Sequence, residues 1–270
     1  MASRQVLIFE DPYSLTNHLL TQWTALAEAA IRERGIFTAA LSGGKTPMEF
    51  YCRLANLDRH DLWSKTHIFL TDERFVPALD PASNFRLLKN NLFDDHLLPD
   101  DHIHPIIAPN GSATFDASPA AAEETAAQYA GHLETFFGCP AGEWPRFDFM
   151  LLGVGEDGHT ASLFPNDKNW EERSRSVTVC QAAFAPQIRI SLTLPVINNA
   201  ACIIFLIQGK PKAVISRALL TGALDAPAAQ VLPQNNNELF FLLDKDAAQQ
   251  LRLPQNVRRM GEAVLWSASE

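Results

Sequence analysis

Basic clusters, long apolar runs and closely spaced cysteines are all missing from this chain. Lysine and arginine number 22 against 31 aspartates and glutamates over 270 residues, a formal net charge of −9, and no Lys/Arg run occurs. A nucleic-acid binder needs a basic footprint, so that class is excluded; a local basic pocket for an anionic metabolite is not. No apolar stretch reaches the roughly 20 residues that cross a bilayer, which argues against a membrane span. The segment MASRQVLIFEDPYSL lacks the apolar core of a signal peptide. Cys52, Cys139, Cys180 and Cys202 are widely spaced and form no CxxC, the usage of reduced structural thiols in a cytoplasmic protein. No internal repeat or low-complexity linker divides the chain, so residues 1–270 read as one domain with ample length for a core.

What is present is strand–helix alternation. Gln5–Phe9 reads as a strand, and Asp11-Pro12 then caps and opens a helix that runs to about Arg34 and stops at Gly35. Ile36–Leu41, His67–Thr71, Phe147–Leu152, Ala201–Gln208 and Leu239–Leu243 are short apolar runs of the kind that form buried parallel strands. Helices are expected at Met48–Ala55, from Ser83 through Leu92, at Ala120–Phe137 and at Ala213–Leu220. Ser176–Cys180 and Gln187–Thr193 read as strands, the second placing Arg189, Ser191 and Thr193 on a polar face. Asp244 or Asp246 is expected to cap a short helix. Residues 93–120 are loop-rich up to the helix; His102 and His104 read there as surface histidines, because no third metal ligand is evident. The pattern predicts an α/β domain, a mostly parallel twisted sheet with helices on both faces.

In such a sheet the strand exits share one edge, so loops distant in sequence converge. Four of these exits carry chemistry. Ser42-Gly43-Gly44-Lys45-Thr46-Pro47 lies between a strand and a helix start, where free N–H groups attract anions. It is not a P-loop, since the first glycine would fall at Ala39. Asp72-Glu73-Arg74 puts three charges at the end of an apolar strand, either a solvated loop or a site; Arg74 could fork onto a phosphate. Gly209-Lys210-Pro211-Lys212 offers lysines at another helix start. The stretch RFDFMLLGVGEDGHTASLFP is the most informative. Its Gly153-x-Gly155-x-x-Gly158 formally fits a dinucleotide fingerprint, but Glu156 and Asp157 stand where a pyrophosphate needs bare N–H groups. An acid two residues before His159 instead suggests an oriented general base. No G-x-S-x-G occurs, so no nucleophile-elbow serine is expected.

These blocks, in order SGGKTP, TDERFVP, SNFRLL, GVGEDGHTASLFP, RISLTLP and GKPKA, resemble the 6-phosphogluconolactonase family from about Val6 to Asp244. The resemblance implies a Rossmann-like fold shared with glucosamine-6-phosphate deaminases. It implies hydrolysis of 6-phospho-D-glucono-1,5-lactone to 6-phospho-D-gluconate, the second step of the oxidative pentose phosphate pathway, with no cofactor and no metal. Under it, His159 is the general base and Asp157 its orienting partner. Ser42, Gly43, Gly44, Asp72, Arg74, Arg189 and Lys212 hold the sugar phosphate, and a functional link to glucose-6-phosphate dehydrogenase is expected. The deaminases are the nearest rival. They usually follow the Asp-Glu pair with Tyr, where this chain has Arg74, and carry a Glu five residues after the motif His, where this chain has Phe164. A non-catalytic sugar-phosphate sensor is the other alternative; such proteins usually carry a DNA-binding segment, and neither a helix-turn-helix extension nor a basic patch is present.

Overall fold

The computed structural model describes residues 3–93, 98–108, 115–140, 142–234, 237–252 and 258–266. In chain order the elements are β1 (Ser3–Phe9), α1 (Pro12–Arg34), β2 (Phe37–Leu41), α2 (Met48–Ala55), α3 (His60–Trp63), β3 (Thr66–Leu70) and β4 (Asp72–Arg74). There follow α4 (Asn84–Asn91), β5 (Ile103–His104), α5 (Pro119–Phe137), β6 (Phe149–Leu152), β7 (Val177–Gln181), β8 (Ile188–Leu192), α6 (Leu194–Asn199) and β9 (Cys202–Ile207). The chain ends with α7 (Ala213–Leu220), β10 (Glu238–Asp244), β11 (Arg258–Met260) and β12 (Ala263–Trp266).

Local signals set the helix ends. The Asp11 carboxylate accepts from the Ser14 N–H at 2.8 Å with Pro12 in the first turn, and Gly35 at φ 82° closes α1 in the left-handed region. Ser83 caps α4 by accepting from the Arg86 N–H. Nine strands form one sheet in the order β11-β12-β1-β10-β9-β6-β2-β3-β5. The pairs from β1 through β5 are parallel, and the β11–β12 hairpin adds antiparallel to β1. Strands β2, β6 and β9 are buried along their whole length, as strands covered on both faces must be. Phe37 and Phe149 on one face meet Trp23 of α1 edge-on, both at 4.9 Å between ring centroids. Phe69 on the opposite face meets Phe136 and Phe137 of α5.

Several sequence expectations need correction. Asp72–Arg74 is neither loop nor part of the main sheet. It forms β4, which pairs antiparallel with β8, and β8 with β7, in a separate three-stranded sheet. Period-2 patterning cannot tell a strand of the main sheet from one of this small sheet. The polar side of β8 is not solvated, since Arg189, Ser191 and Thr193 are all buried. After β10 there are turns where a short helix was expected, with Asp244 accepting from the Ala247 and Gly209 N–H groups. The β11–β12 hairpin was not anticipated. Of the loop-rich stretch, residues 94–97 and 109–114 lie outside the described residues.

His104 is not a surface histidine. It is 7 % exposed and stacks on Phe69 at 4.0 Å. Its ring nitrogens meet those of His67 at 3.1 Å and His132 at 2.8 Å, and His102 stacks on His67 at 3.9 Å. Burial, reinforced by neighbouring imidazoles, lowers the pKa of His104 to about 3 and that of His67 to about 4; burial lowers His132 as well. Among the described residues no group of three or more His, Cys, Asp or Glu could hold a metal, and no helix is long and apolar enough to cross a membrane. The four cysteines are free thiols.

Candidate active site

A cavity of about 270 Å³ opens where β2, β3, β6 and β9 end. Its wall takes Ser42, Gly43 and Gly44 from the β2 exit, Asp72 and Arg74 from β4, His159 from the loop after β6, and Lys212 from the turn after β9. Seven of the nine residues expected from sequence therefore share one wall. The parallel arrangement forces this convergence, because every one of these loops leaves the same edge of the sheet.

Strand β6 runs into Gly153-Val154-Gly155, and the chain then folds back on itself. The Gly155 N–H donates to the His159 carbonyl at 2.8 Å, and the Thr160 hydroxyl to the Gly153 carbonyl at 2.9 Å. A Cβ on Gly155 would overlap both the His159 ring and the Asp157 carboxylate, so glycine is required there by close approach. No α-helix follows this loop; the next helical element is the 3-10 turn Lys168–Glu171, so the dinucleotide geometry is absent here. Asp157 does not line the cavity. Its Oδ1 instead meets His159 Nδ1 at 2.6 Å and accepts from the His159 backbone N–H at 3.1 Å. A carboxylate can only accept, so Nδ1 is the donor of that contact and Nε2 takes no part in it. The imidazole rests on the Phe164 ring at 4.8 Å, and its side chain keeps 27 % exposure.

The Asp72-Glu73-Arg74 triplet divides its labour. Asp72, 5 % exposed, accepts from Ser162 Oγ at 2.5 Å and Thr71 Oγ1 at 3.1 Å. Glu73 faces away from the cavity. It accepts from the backbone N–H groups of Arg74, Asn84 and Phe85 at 2.6–2.7 Å and from the Ser83 hydroxyl at 3.0 Å. Burial pushes its pKa up to about 7 against these donors, which favour the carboxylate. Arg74 uses Nη1 on the Ala82 carbonyl at 2.6 Å and retains its other donors. Arg189 stands beside Arg74 in the β4–β8 register but is not in the cavity wall. Its guanidinium lies 5.4 Å from the Phe184 ring centroid, Nε has no partner, and burial followed by the Arg74 charge lowers its pKa to about 10. Lys212 Nζ donates to the Val154 carbonyl at 2.8 Å, tying the β9 turn to the histidine loop.

Sequence reasoning missed several members. Lys45, Thr46 and Asn84 line the cavity, as does Ala161, a non-glycine held at φ 47°. Such a backbone costs about 1–2 kcal/mol and tends to persist at functional sites. Ser162 is reached only through Asp72. Lys45 and Thr46 sat inside a loop already singled out, whereas Asn84 carried only a helix-start signal. The buried Tyr51 hydroxyl also supports the wall by donating to the Ser42 carbonyl at 2.5 Å; burial and the Asp72 charge raise its pKa well above the usual phenol value.

Residues 10–241 match the family described as glucosamine-6-phosphate isomerases/6-phosphogluconolactonase. A 6-phosphogluconolactonase of Synechocystis sp. is 38 % identical over 252 residues, covering 92 % of this chain and 98 % of that protein. A human GDH/6PGL endoplasmic bifunctional protein is 33 % identical over 237 residues, which is 86 % of this chain but 29 % of that protein. Among solved structures, 6-phosphogluconolactonase from Trypanosoma cruzi superposes with a TM-score of 0.81 at 26 % identity, covering 93 % of this chain and 98 % of that one.

Proposed function

The chain belongs to the glucosamine-6-phosphate isomerase/6-phosphogluconolactonase family and is a carboxylic ester hydrolase of the 6-phosphogluconolactonase kind; we propose that His159 is the base through which it works. The single observation that carries this is the 2.6 Å contact between Asp157 and His159 Nδ1, with His159 in the wall of a cavity that also carries Lys45, Arg74 and Lys212. Nε2 takes a proton from water as that water attacks the lactone carbonyl C1. Asp157 steadies the imidazolium, and the same imidazolium returns the proton to the ring oxygen as the C1–O bond breaks. A positioned base of this kind contributes about 10²–10⁴-fold.

Arg74, Lys212 and the backbone of Ser42, Gly43 and Gly44 hold the 6-phosphate in this reading. Arg189, a buried cation beside Arg74 whose Nε has no hydrogen-bond partner, gains a counter-charge when the phosphate arrives. Asp72 keeps lone pairs for sugar hydroxyls. Both departures from the deaminase pattern fall at this site, Arg74 in the wall and Phe164 under the imidazole, which favours the lactone over an amino-sugar phosphate. In this reading the reaction is the second step of the oxidative pentose phosphate pathway, a hydrolysis, and it runs in the cytoplasm. The human relative is a GDH/6PGL bifunctional protein, which supports a functional link to glucose-6-phosphate dehydrogenase.

The test generates 6-phosphogluconolactone in situ from glucose 6-phosphate and follows its loss above spontaneous hydrolysis. Wild type accelerates the loss and His159→Ala does not. Equal turnover by the two removes His159 as base.

A further inference from the structure

Asn84 is the one cavity-lining side chain among the described residues with a buried polar atom that has no partner. The residue is 1 % exposed. Its Nδ2 donates to the Asp72 carbonyl at 2.9 Å, while Oδ1 finds no donor. The carboxamide instead fills the place that a Cβ on Gly43 would take, so Oδ1 rests against the Gly43 backbone. A contact of that kind is a weak Cα–H···O interaction at best, and an apolar side chain could pack there without an orphaned acceptor.

The side chain is rigidly delivered. Asn84 is the first residue of α4, and its own N–H is gripped by Glu73, the buried carboxylate between Asp72 and Arg74. Hydrogen bonds thus tie β4 to the start of α4, and Asn84 carries that link on to the glycine loop by packing against Gly43.

We propose that Asn84 is a positioning residue for the phosphate loop. It sets where Gly43 stands and fixes the loop at a constant distance from Arg74, so that both grip the same phosphate while the lactone carbonyl lies at His159. It touches no reacting atom. The inference rests on the reading of Ser42–Gly44 as the phosphate loop.

A double-mutant cycle of Gly43→Ala and Asn84→Gly tests it, with kinetics on 6-phosphogluconolactone and on gluconolactone, which has no phosphate. Each single variant should raise KM for the phosphorylated lactone by about tenfold, and the double variant should be no worse than Gly43→Ala alone, because the collision is gone. The coupling should reach about fivefold or more, the range expected for residues in contact. Relative rates on gluconolactone should stay within about twofold. Multiplicative effects on KM, or equal losses on both substrates from Asn84→Gly with Gly43→Ala still selective for the phosphorylated lactone, overturn the proposal while leaving the loop as phosphate site. If Gly43→Ala leaves KM for the phosphorylated lactone and inhibition by inorganic phosphate unchanged, the phosphate-loop reading itself fails and the positioning role goes with it. Should Asn84→Gly fold poorly, Asn84→Asp carries the test. It keeps an oxygen against Gly43 but sets a carboxylate beside the loop, and an unchanged ratio of the two KM values overturns the role.

Discussion

Replacing Gly155 by alanine should disable the enzyme without unfolding it. The added methyl would overlap the His159 ring at Nδ1 and Cε1 and also the Asp157 carboxylate. All three atoms belong to side chains, so the loop backbone can stay while the imidazole gives way. Ordinary van der Waals contact requires a displacement of roughly 1 Å or more, enough to break the 2.6 Å link to Asp157 and carry Nε2 off the water it must activate. Misplacement on that scale costs about 10²-fold, close to 2.7 kcal/mol of transition-state stabilisation. The residues proposed to hold the phosphate lie on other loops, so the loss should appear in kcat with KM changed by less than about threefold. Gly153, two residues away on the same loop, is the control: a Cβ there has nothing within 4 Å, and the backbone is not left-handed. Gly153→Ala should keep kcat within about threefold. Turnover of lactone generated in situ, corrected for spontaneous hydrolysis, reads both variants, with thermal melts to show that each is folded. A Gly155→Ala enzyme as fast as wild type, or a Gly153→Ala enzyme as slow as Gly155→Ala, would refute the geometric reasoning.

Two further expectations follow from the same structure. Arg74→Ala removes a charge-assisted contact worth about 1.5–3 kcal/mol, so KM for the phosphorylated lactone should rise about 10- to 100-fold, with little change for gluconolactone; equal effects would take Arg74 off the phosphate. The histidine row makes the fold acid-sensitive. His67 and His104 stay neutral when folded but charge below about 6.5 when unfolded, so their contribution is complete above that pH and is lost as pH falls toward about 4 and 3. Discounted for partial exposure, the pair should lower stability by about 1–3 kcal/mol between pH 7 and 5. Urea midpoints at the two pH values measure this, and His104→Gln should shrink the difference; an unchanged difference removes the row as its source.

Strand and helix identities were legible because periodicity and caps are local. Asp11, Gly35 and Ser83 announce helix ends within four residues of the bonds they make. Convergence of the loops was legible too, since parallel strands leave no other edge for their exits. The small sheet was not, because β4 and β8 are more than a hundred residues apart and nothing in either sequence names the partner. The role of Glu73 was not legible, since a charged triplet does not show which side chain turns inward; only the position of α4 reveals that it clamps a helix start. His104 was misread for the same reason: its burial comes from α5 and β3, not from its neighbours in sequence.

The sheet order also has a temporal consequence. Strands β3, β2, β6 and β9 are neighbours in space, and all four, with α7, precede β10 in the chain. A chain growing from the ribosome can therefore assemble every wall of the cavity while β1 still waits, since β1 pairs along its whole length with β10, Ser3 opposite Glu238. Until then the open flank of β9, apolar from Cys202 to Ile207, is a bare strand edge of the kind that recruits other chains. Every cavity-lining residue thus precedes β10, and β10 then covers the bare edge of β9.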